Sequence, residues 1–120
     1  MKAVKSEVED CVFCKIAAGE IPSKKAYEDD SVLAFYDLDP QAPTHILLIP
    51  KEHIGSAAEI TEQNSFIVAH LFEVAARLAK ELELTHGFRL VVNTGEDGGQ
   101  TVHHLHVHLL GGRSMKWPPG

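Results

Sequence analysis

Apolar residues along this chain change their period several times, and each change predicts an element. Between residues 11 and 19, Phe13, Ile16 and Ala17 share one face of a helical turn, Gly19 is placed to stop it and Pro22 forbids its continuation. A short N-terminal helix is expected there. Residues 24–28 and 31–37 read as two strands of a hairpin around the turn residues Asp29 and Asp30, the second strand carrying Val32, Leu33, Phe35 and Tyr36. A turn-rich connection follows, from Leu38 through Pro40 to Pro43, and residues 45–49 give a third strand that Pro50 closes. From Thr61, a reasonable N-cap, to Gly87, a reasonable stop, Ile67, Leu71, Val74, Leu78 and Leu82 recur at the spacing of one helical face. Residues 88–93 and 102–110 are then a fourth and a fifth strand, separated by the glycine-rich loop 94–100. Three strands, a long helix and two more strands predict an α+β domain: a five-stranded antiparallel meander with the long helix on one face.

Composition narrows the functional classes. The 120 residues are 44% hydrophobic and 23% charged, which is ordinary for one domain. Such a chain buries roughly two thirds of its unfolded surface, so its core needs no cross-links. Residues 1–10 mix charges without periodicity and are expected to be a mobile lead-in, leaving residues 11–120 as the domain. No apolar run approaches the ~20 residues of a membrane span, and no secretory signal opens the chain, so the expectation is a cytoplasmic protein without a membrane partner. Seventeen acidic against eleven basic residues, a net charge of -6, argue against a nucleic-acid backbone as partner. Eight histidines are unusual for this length, and four of them fall between His103 and His108.

In His104-Leu105-His106-Val107-His108-Leu109, imidazoles alternate with apolar side chains. On a strand all three rings share one face, and Leu105, Val107 and Leu109 face the core beneath the long helix. Two chemistries suit such a face. Histidines at i and i+2 can ligate one cation, or an uncharged imidazole can attack an electrophile while a neighbour supplies a proton to the leaving group. The loop Gly98-Gly99-Gln100-Thr101 brings backbone N–H groups and a hydroxyl beside the rings, an environment suited to oxyanions, and so favours attack on phosphorus.

The run from His104 to Leu110 resembles the His-x-His-x-His-x-x motif of the histidine triad (HIT) superfamily. Further segments, Asp39-Pro40-Gln41-Ala42-Pro43-Thr44-His45, Ile49-Pro50-Lys51-Glu52-His53-Ile54, Asp97-Gly98-Gly99-Gln100-Thr101 and Trp117-Pro118-Pro119-Gly120, resemble its nucleotide-binding phosphoramidase branch over residues 11–120. The resemblance implies a homodimer whose sheet extends to ten strands, hydrolysing purine nucleoside 5′-phosphoramidates. A dinucleoside polyphosphate hydrolase, or an interaction module that binds nucleotide or zinc, stands as the alternative. His106 would be the nucleophile, forming a nucleotidyl-imidazole that water cleaves; His108 would contact the transferred phosphate, and His104 and His45 would orient and support the nucleophile. Asp37 would take the ribose hydroxyls, as a carboxylate suits a diol. Phe13, Ile16, Phe35 and Leu38 would line the base pocket, and Asn93, Gly99, Gln100 and Thr101 would surround the phosphate and the scissile bond. Thr101 replaces the serine of many relatives and keeps the hydroxyl. Trp117 and its tail would reach the site of the sister subunit.

Cys11 and Cys14 are spaced Cys-x-x-Cys, which without a secretory context suggests metal or redox chemistry before a disulfide. No second cysteine pair completes a zinc ribbon. The resemblance implies that His53 and His104 complete a structural zinc site, since two thiolates and two imidazoles satisfy tetrahedral zinc. Packing of both thiols as small hydrophobes is the alternative.

Overall fold

The computed structural model describes residues 5–120, with side chains from residue 7; the rest of the expected lead-in, residues 1–4, lies outside the described residues. Two short helices come first, α1 (Lys5–Glu9) and α2 (Val12–Ala17). A five-stranded antiparallel sheet follows, built from β1 (Lys25–Glu28), β2 (Val32–Tyr36), β3 (Thr44–Pro50), β4 (Phe88–Val91) and β5 (Val107–Gly111). The long helix α3 (Ser65–Glu81) joins β3 to β4. The α+β class and the five antiparallel strands expected from the sequence are present.

The apolar runs of β2 and β3 are buried on both faces because both faces are covered. On one, Leu71, Val74, Ala75 and Leu78 of α3 pack against Val32, Ala34, Ile46, Leu48, Val107 and Leu109. On the other, Phe13 of α2 and Cys11 pack against Leu33, Phe35, Leu47 and Ile49. Burying a Leu or Ile side chain contributes about 1.5–3 kcal/mol, so two such layers hold this sheet without cross-links.

Three expectations need correction. The sheet is not a simple meander: its order is β1-β2-β3-β5-β4, so the chain crosses through α3 to the far edge and β5 returns between β3 and β4. Between β3 and β4, the backbone N–H and C=O groups of the buried strand β5 find ladder partners along both edges. Short, half-exposed β4 suits an edge. Regular strand in the histidine segment begins only at Val107, because β3 ends at Pro50, which has no N–H to offer a ladder; Leu105 N–H donates to Ile54 O instead. The side-chain alternation nevertheless persists, with Leu105, Val107 and Leu109 in the α3 layer. The long helix spans Ser65–Glu81 rather than 61–87. Thr61 and Asn64 bond each other in a turn ahead of it, and Glu83 takes a left-handed φ of 57° just after it, with Leu84 N–H reaching back to Ala79 O. Helix α1 lies within the segment expected to lead into the domain.

Cys11 caps α2, its Sγ accepting from Cys14 N–H at 3.3 Å, and Gly19 ends the segment at φ +81°, where a side chain would be strained. The Asp29 carboxylate closes the β1–β2 hairpin, accepting from Ser31 N–H and Val32 N–H at 2.8 Å each.

Candidate active site and metal cluster

Three histidines from the alternating segment, with His45 from β3, line the sheet face beneath α2. His45 is 5% exposed, His104 0% and His106 5%. Their hydrogen bonds set the tautomers. Nδ1 of His106 lies 2.6 Å from the carbonyl of His104, which only accepts, so Nδ1 carries a proton and the lone pair of the uncharged ring is on Nε2. The backbone N–H of Gln41 donates to Nδ1 of His45 at 3.0 Å, so His45 bears its proton on Nε2. That Nε2 is 2.9 Å from Nδ1 of His108 and donates to it. His108 in turn holds its proton on Nε2. One ring of the pair thus presents a lone pair and the other an N–H donor, with centroids 5.1 Å apart.

Burial keeps the supporting rings neutral. It pushes His108 down to about 4, aided by the nearby His106 and His45 and opposed by Asp37. It lowers His45 as well, against the pull of Asp37 and Asp39. Asp37 Oδ2 lies 3.5 Å from His45 Nε2, and Asp37 Oδ1 accepts from Asp39 N–H at 2.8 Å.

A cavity of about 370 Å³ opens beside these rings. Of the residues expected from the sequence, Phe13, Ile16, Phe35, Asp37, Leu38, Thr101, His106 and His108 line it. Others lie elsewhere. Gln100 is consumed in holding its loop: its amide donates to Gly55 O (2.8 Å) and Val102 O (3.0 Å), and its Oε1 accepts from Gly95 N–H (3.0 Å). Asn93 donates to Gly98 O at 2.8 Å, bracing the same loop, and Gly99 turns it at φ +78°. Trp117 is 83% exposed, away from the cavity of its own chain. Sequence reasoning missed Val12, Ile21, Ser23, Tyr36, Leu47 and Val102 as further wall. For Leu47 a signal was available: it lies two residues after His45 on the expected third strand and so shares its face.

On the far side of His104 lies a second constellation. Nδ1 of His104 is 3.2 Å from Cys11 Sγ and 3.5 Å from Cys14 Sγ, and Nδ1 of His53 is 3.2 Å from Cys14 Sγ. All four ligand atoms lie within 4.8 Å of one another. Zinc bonds of about 2.3 Å to sulfur and 2.0–2.1 Å to nitrogen put the S···N edges of a tetrahedron near 3.5 Å, so the spacing fits. The electrostatics agree. Burial pushes the half-buried Cys14 thiol up to about 12, and the hydrogen bond and charge of Cys11 push the same way; the thiolate form of this pair calls for a cation between the sulfurs. Burial, with His53, His106 and His103 nearby, lowers His104 to about 4, leaving the neutral imidazole that metal ligation requires. Its Nε2–H donates to Pro50 O at 2.8 Å, the outer partner that fixes a ligating ring. Cys11 and Cys14 are both free thiols. The cluster is thus built for tetrahedral zinc.

Comparison with known proteins gives a consistent picture. The HIT domain profile matches residues 18–115. An uncharacterized HIT-like protein of Synechococcus elongatus is 53% identical over 112 residues, covering 93% of this chain and 98% of its own. A 14 kDa zinc-binding protein of Zea mays is 52% identical over 111 residues, 91% of this chain and 87% of that one. Among solved structures, a HIT family hydrolase from Legionella pneumophila superposes with a TM-score of 0.91 at 50% identity, covering 92% of this chain and all (100%) of the other. A histidine triad protein from Clostridium difficile gives 0.87 at 53% identity, over 89% and 94% of the two chains.

Proposed function

This chain belongs to the HIT domain family, and from that premise we propose that it is a phosphoramidase that cleaves purine nucleoside 5′-phosphoramidates through a covalent nucleotidyl-His106 intermediate. The observation that carries the reading is the 2.6 Å bond from His106 Nδ1–H to the His104 carbonyl, which leaves Nε2 as the free lone pair at the cavity. In the first step that lone pair forms a bond to phosphorus. The P–N bond breaks, its electron pair leaves with the amine, and the amine takes a proton from water. In the second step water attacks phosphorus, the P–N bond to His106 breaks, its pair returns to Nε2, and a proton passes to solvent. The His108 Nε2–H, held by His45, donates to a phosphoryl oxygen in both steps and stabilises the charge that gathers there.

The apolar walls at Phe13, Ile16 and Phe35 accept the flat base, and Asp37 at the cavity margin accepts from the ribose diol. Thr101 lies at the leaving-group side. Cys11, Cys14, His53 and His104 hold zinc, which when bound clamps α2 to the His104 segment as a structural centre. Edge strand β4 carries the exposed Phe88, and α3 exposes Phe66 and Phe72; these apolar groups support a homodimer that extends the sheet to ten strands and brings Trp117 to the sister site. Among the described residues no helix is long and apolar enough to cross a membrane. The two free cysteines and the acidic net charge support a cytoplasmic setting without nucleic-acid partners.

The test is a substrate panel with adduct detection. An adenosine or guanosine phosphoramidate should give the highest kcat/KM, and acid-quenched mixtures should contain protein heavier by one nucleotidyl group. Faster hydrolysis of diadenosine polyphosphates would transfer the activity to that class, and nucleotide binding without turnover would make the chain a binding module.

A further inference from the structure

We propose that the metal cluster and the nucleotide pocket are energetically coupled through α2 and His104, with Phe13 as the coupling side chain, so that metal and nucleotide each tighten the hold on the other. The inference rests on the nucleotide reading above and deepens it by adding regulation of the same site.

The two sites share structure to an unusual degree. Helix α2 has six residues, too few to be stable alone, so its place is set by what anchors its ends. Cys11, its cap, and Cys14, one turn on, belong to the cluster; Phe13 between them and Ile16 beyond line the cavity. Phe13 is 6% exposed and stands edge-on to His104 at 5.9 Å, His106 at 5.0 Å and Phe35 at 5.7 Å between centroids. Any shift of the thiols moves a wall of the pocket. His104 forms the second link, since its ring meets both sulfurs while its carbonyl holds His106. A close-packed interior passes such displacements on rather than absorbing them. A purine packed on Phe13 would hold α2 where the thiols meet His53 and His104. By linkage, the factor by which nucleotide tightens metal equals the factor by which metal tightens nucleotide.

The test follows zinc release from the zinc-loaded protein to a chromogenic chelator, with and without saturating AMP. The zinc affinity read from the final partition against the chelator should rise about fivefold or more with AMP, the low end of ordinary coupling, and release should slow with it. The visible spectrum of cobalt-substituted protein should shift on AMP addition, a readout of ligand geometry that global stabilisation alone does not move. Phe13→Leu should retain one zinc and a native circular dichroism spectrum while the AMP effect on release falls below about twofold. Phe35→Leu, on the sheet side of the pocket, should keep the effect at saturating AMP. If Phe13→Leu does not fold, the cobalt spectrum of the wild-type protein decides. AMP binding seen by calorimetry, with release rate and cobalt spectrum both unchanged, would overturn the coupling and leave the nucleotide reading intact. Absence of AMP binding to the zinc-loaded protein would overturn both.

Discussion

His106 is tied to His104 by a 2.6 Å hydrogen bond from its ring Nδ1–H to the backbone carbonyl two residues earlier. The bond uses main chain rather than a carboxylate, so the His106 ring is oriented without a negative charge at its Nδ1. The His104 ring is in turn bonded to Pro50 O on one side and faces the two thiols on the other, which anchors the residue that carries the carbonyl.

His106→Ala removes the proposed nucleophile while the proposed ribose and base contacts stay. Turnover should fall below detection, with AMP affinity within about tenfold of the parent. His106→Gly with added imidazole should recover measurable rate, because the cavity then admits the missing ring. Substantial kcat in the alanine variant would remove His106 from the chemistry.

The β1–β2 hairpin is pinned to α3 by His70, whose Nε2 lies 2.5 Å from Asp29 Oδ2, with Tyr27 donating to the same oxygen at 2.6 Å. The hydrogen bond to Asp29 raises His70 above its ordinary value, burial opposes and Glu73 adds to the rise. For Asp29, burial works upward, but bonds from His70, Tyr27 and the Ser31 and Val32 amides outweigh it and hold the carboxyl well below the usual range. The stabilisation from His70 is therefore complete below its unfolded value near 6.5 and is lost as pH rises through the higher folded value. Asp29 stays ionised across that window. The melting-temperature gap between wild type and His70→Gln should be about 1–4 °C near pH 5.5, since the pair is partly exposed, and should shrink by pH 8.5. A gap that widens with pH would reverse the assigned sign.

What the sequence revealed follows from how local each signal is. Helix α2, the hairpin and the apolar face of α3 rest on periodicity within one element, and the alternation from His104 to His108 survives even where the strand does not. Strand order is different in kind, because placing β5 beside β3 depends on which faces find cover after α3 folds back. The end of the β3–β5 ladder depends on Pro50, fifty-odd residues from the segment it cuts short. The resemblance sets Gln100 beside the phosphate, and in the structure its amide and Oε1 also hold the loop against Gly55, a bracing role that residue type alone does not announce. The cluster of Cys11, Cys14, His53 and His104 spans most of the chain, and only the resemblance joined the two histidines to the thiols.

Protein purified without added metal should contain about one zinc per chain, and Cys14→Ser should lose it, since a hydroxyl is a poor replacement for a thiolate ligand. Removing zinc with a chelator should lower the melting temperature. Metal-free wild type with unchanged melting would deny the site a structural role.

Asp37→Asn should weaken ribonucleotide binding more than 2′-deoxynucleotide binding, by about 1–3 kcal/mol, because an amide loses the charged acceptor that a diol prefers. The Asp39 N–H already occupies part of Oδ1 and His45 Nε2 lies 3.5 Å from Oδ2, which orients the carboxylate and leaves further lone pairs for the proposed sugar contact. Equal losses for both sugars would reduce Asp37 to a turn residue.

The C-terminal tail is held at its root and free at its tip. Arg113 Nε donates to Gln41 O at 3.0 Å and Arg89 Nη2 to Lys116 O at 2.8 Å, whereas Trp117 beyond them remains 83% exposed. A large aromatic ring followed by two stiffening prolines and held away from its own cavity is suited to meet another surface, and the sister subunit is the one the proposed dimer supplies. Deleting residues 115–120 keeps the Arg113 anchor and all of β4, so sedimentation should still show a dimer. A wall near the leaving group selects among substrates without supplying the nucleophile, so the ranking of a series of amine leaving groups should change while hydrolysis continues. If the truncated protein ranks those amines as the full chain does, Trp117 stands outside the site and leaving-group selection must come from Thr101 and the walls within one subunit.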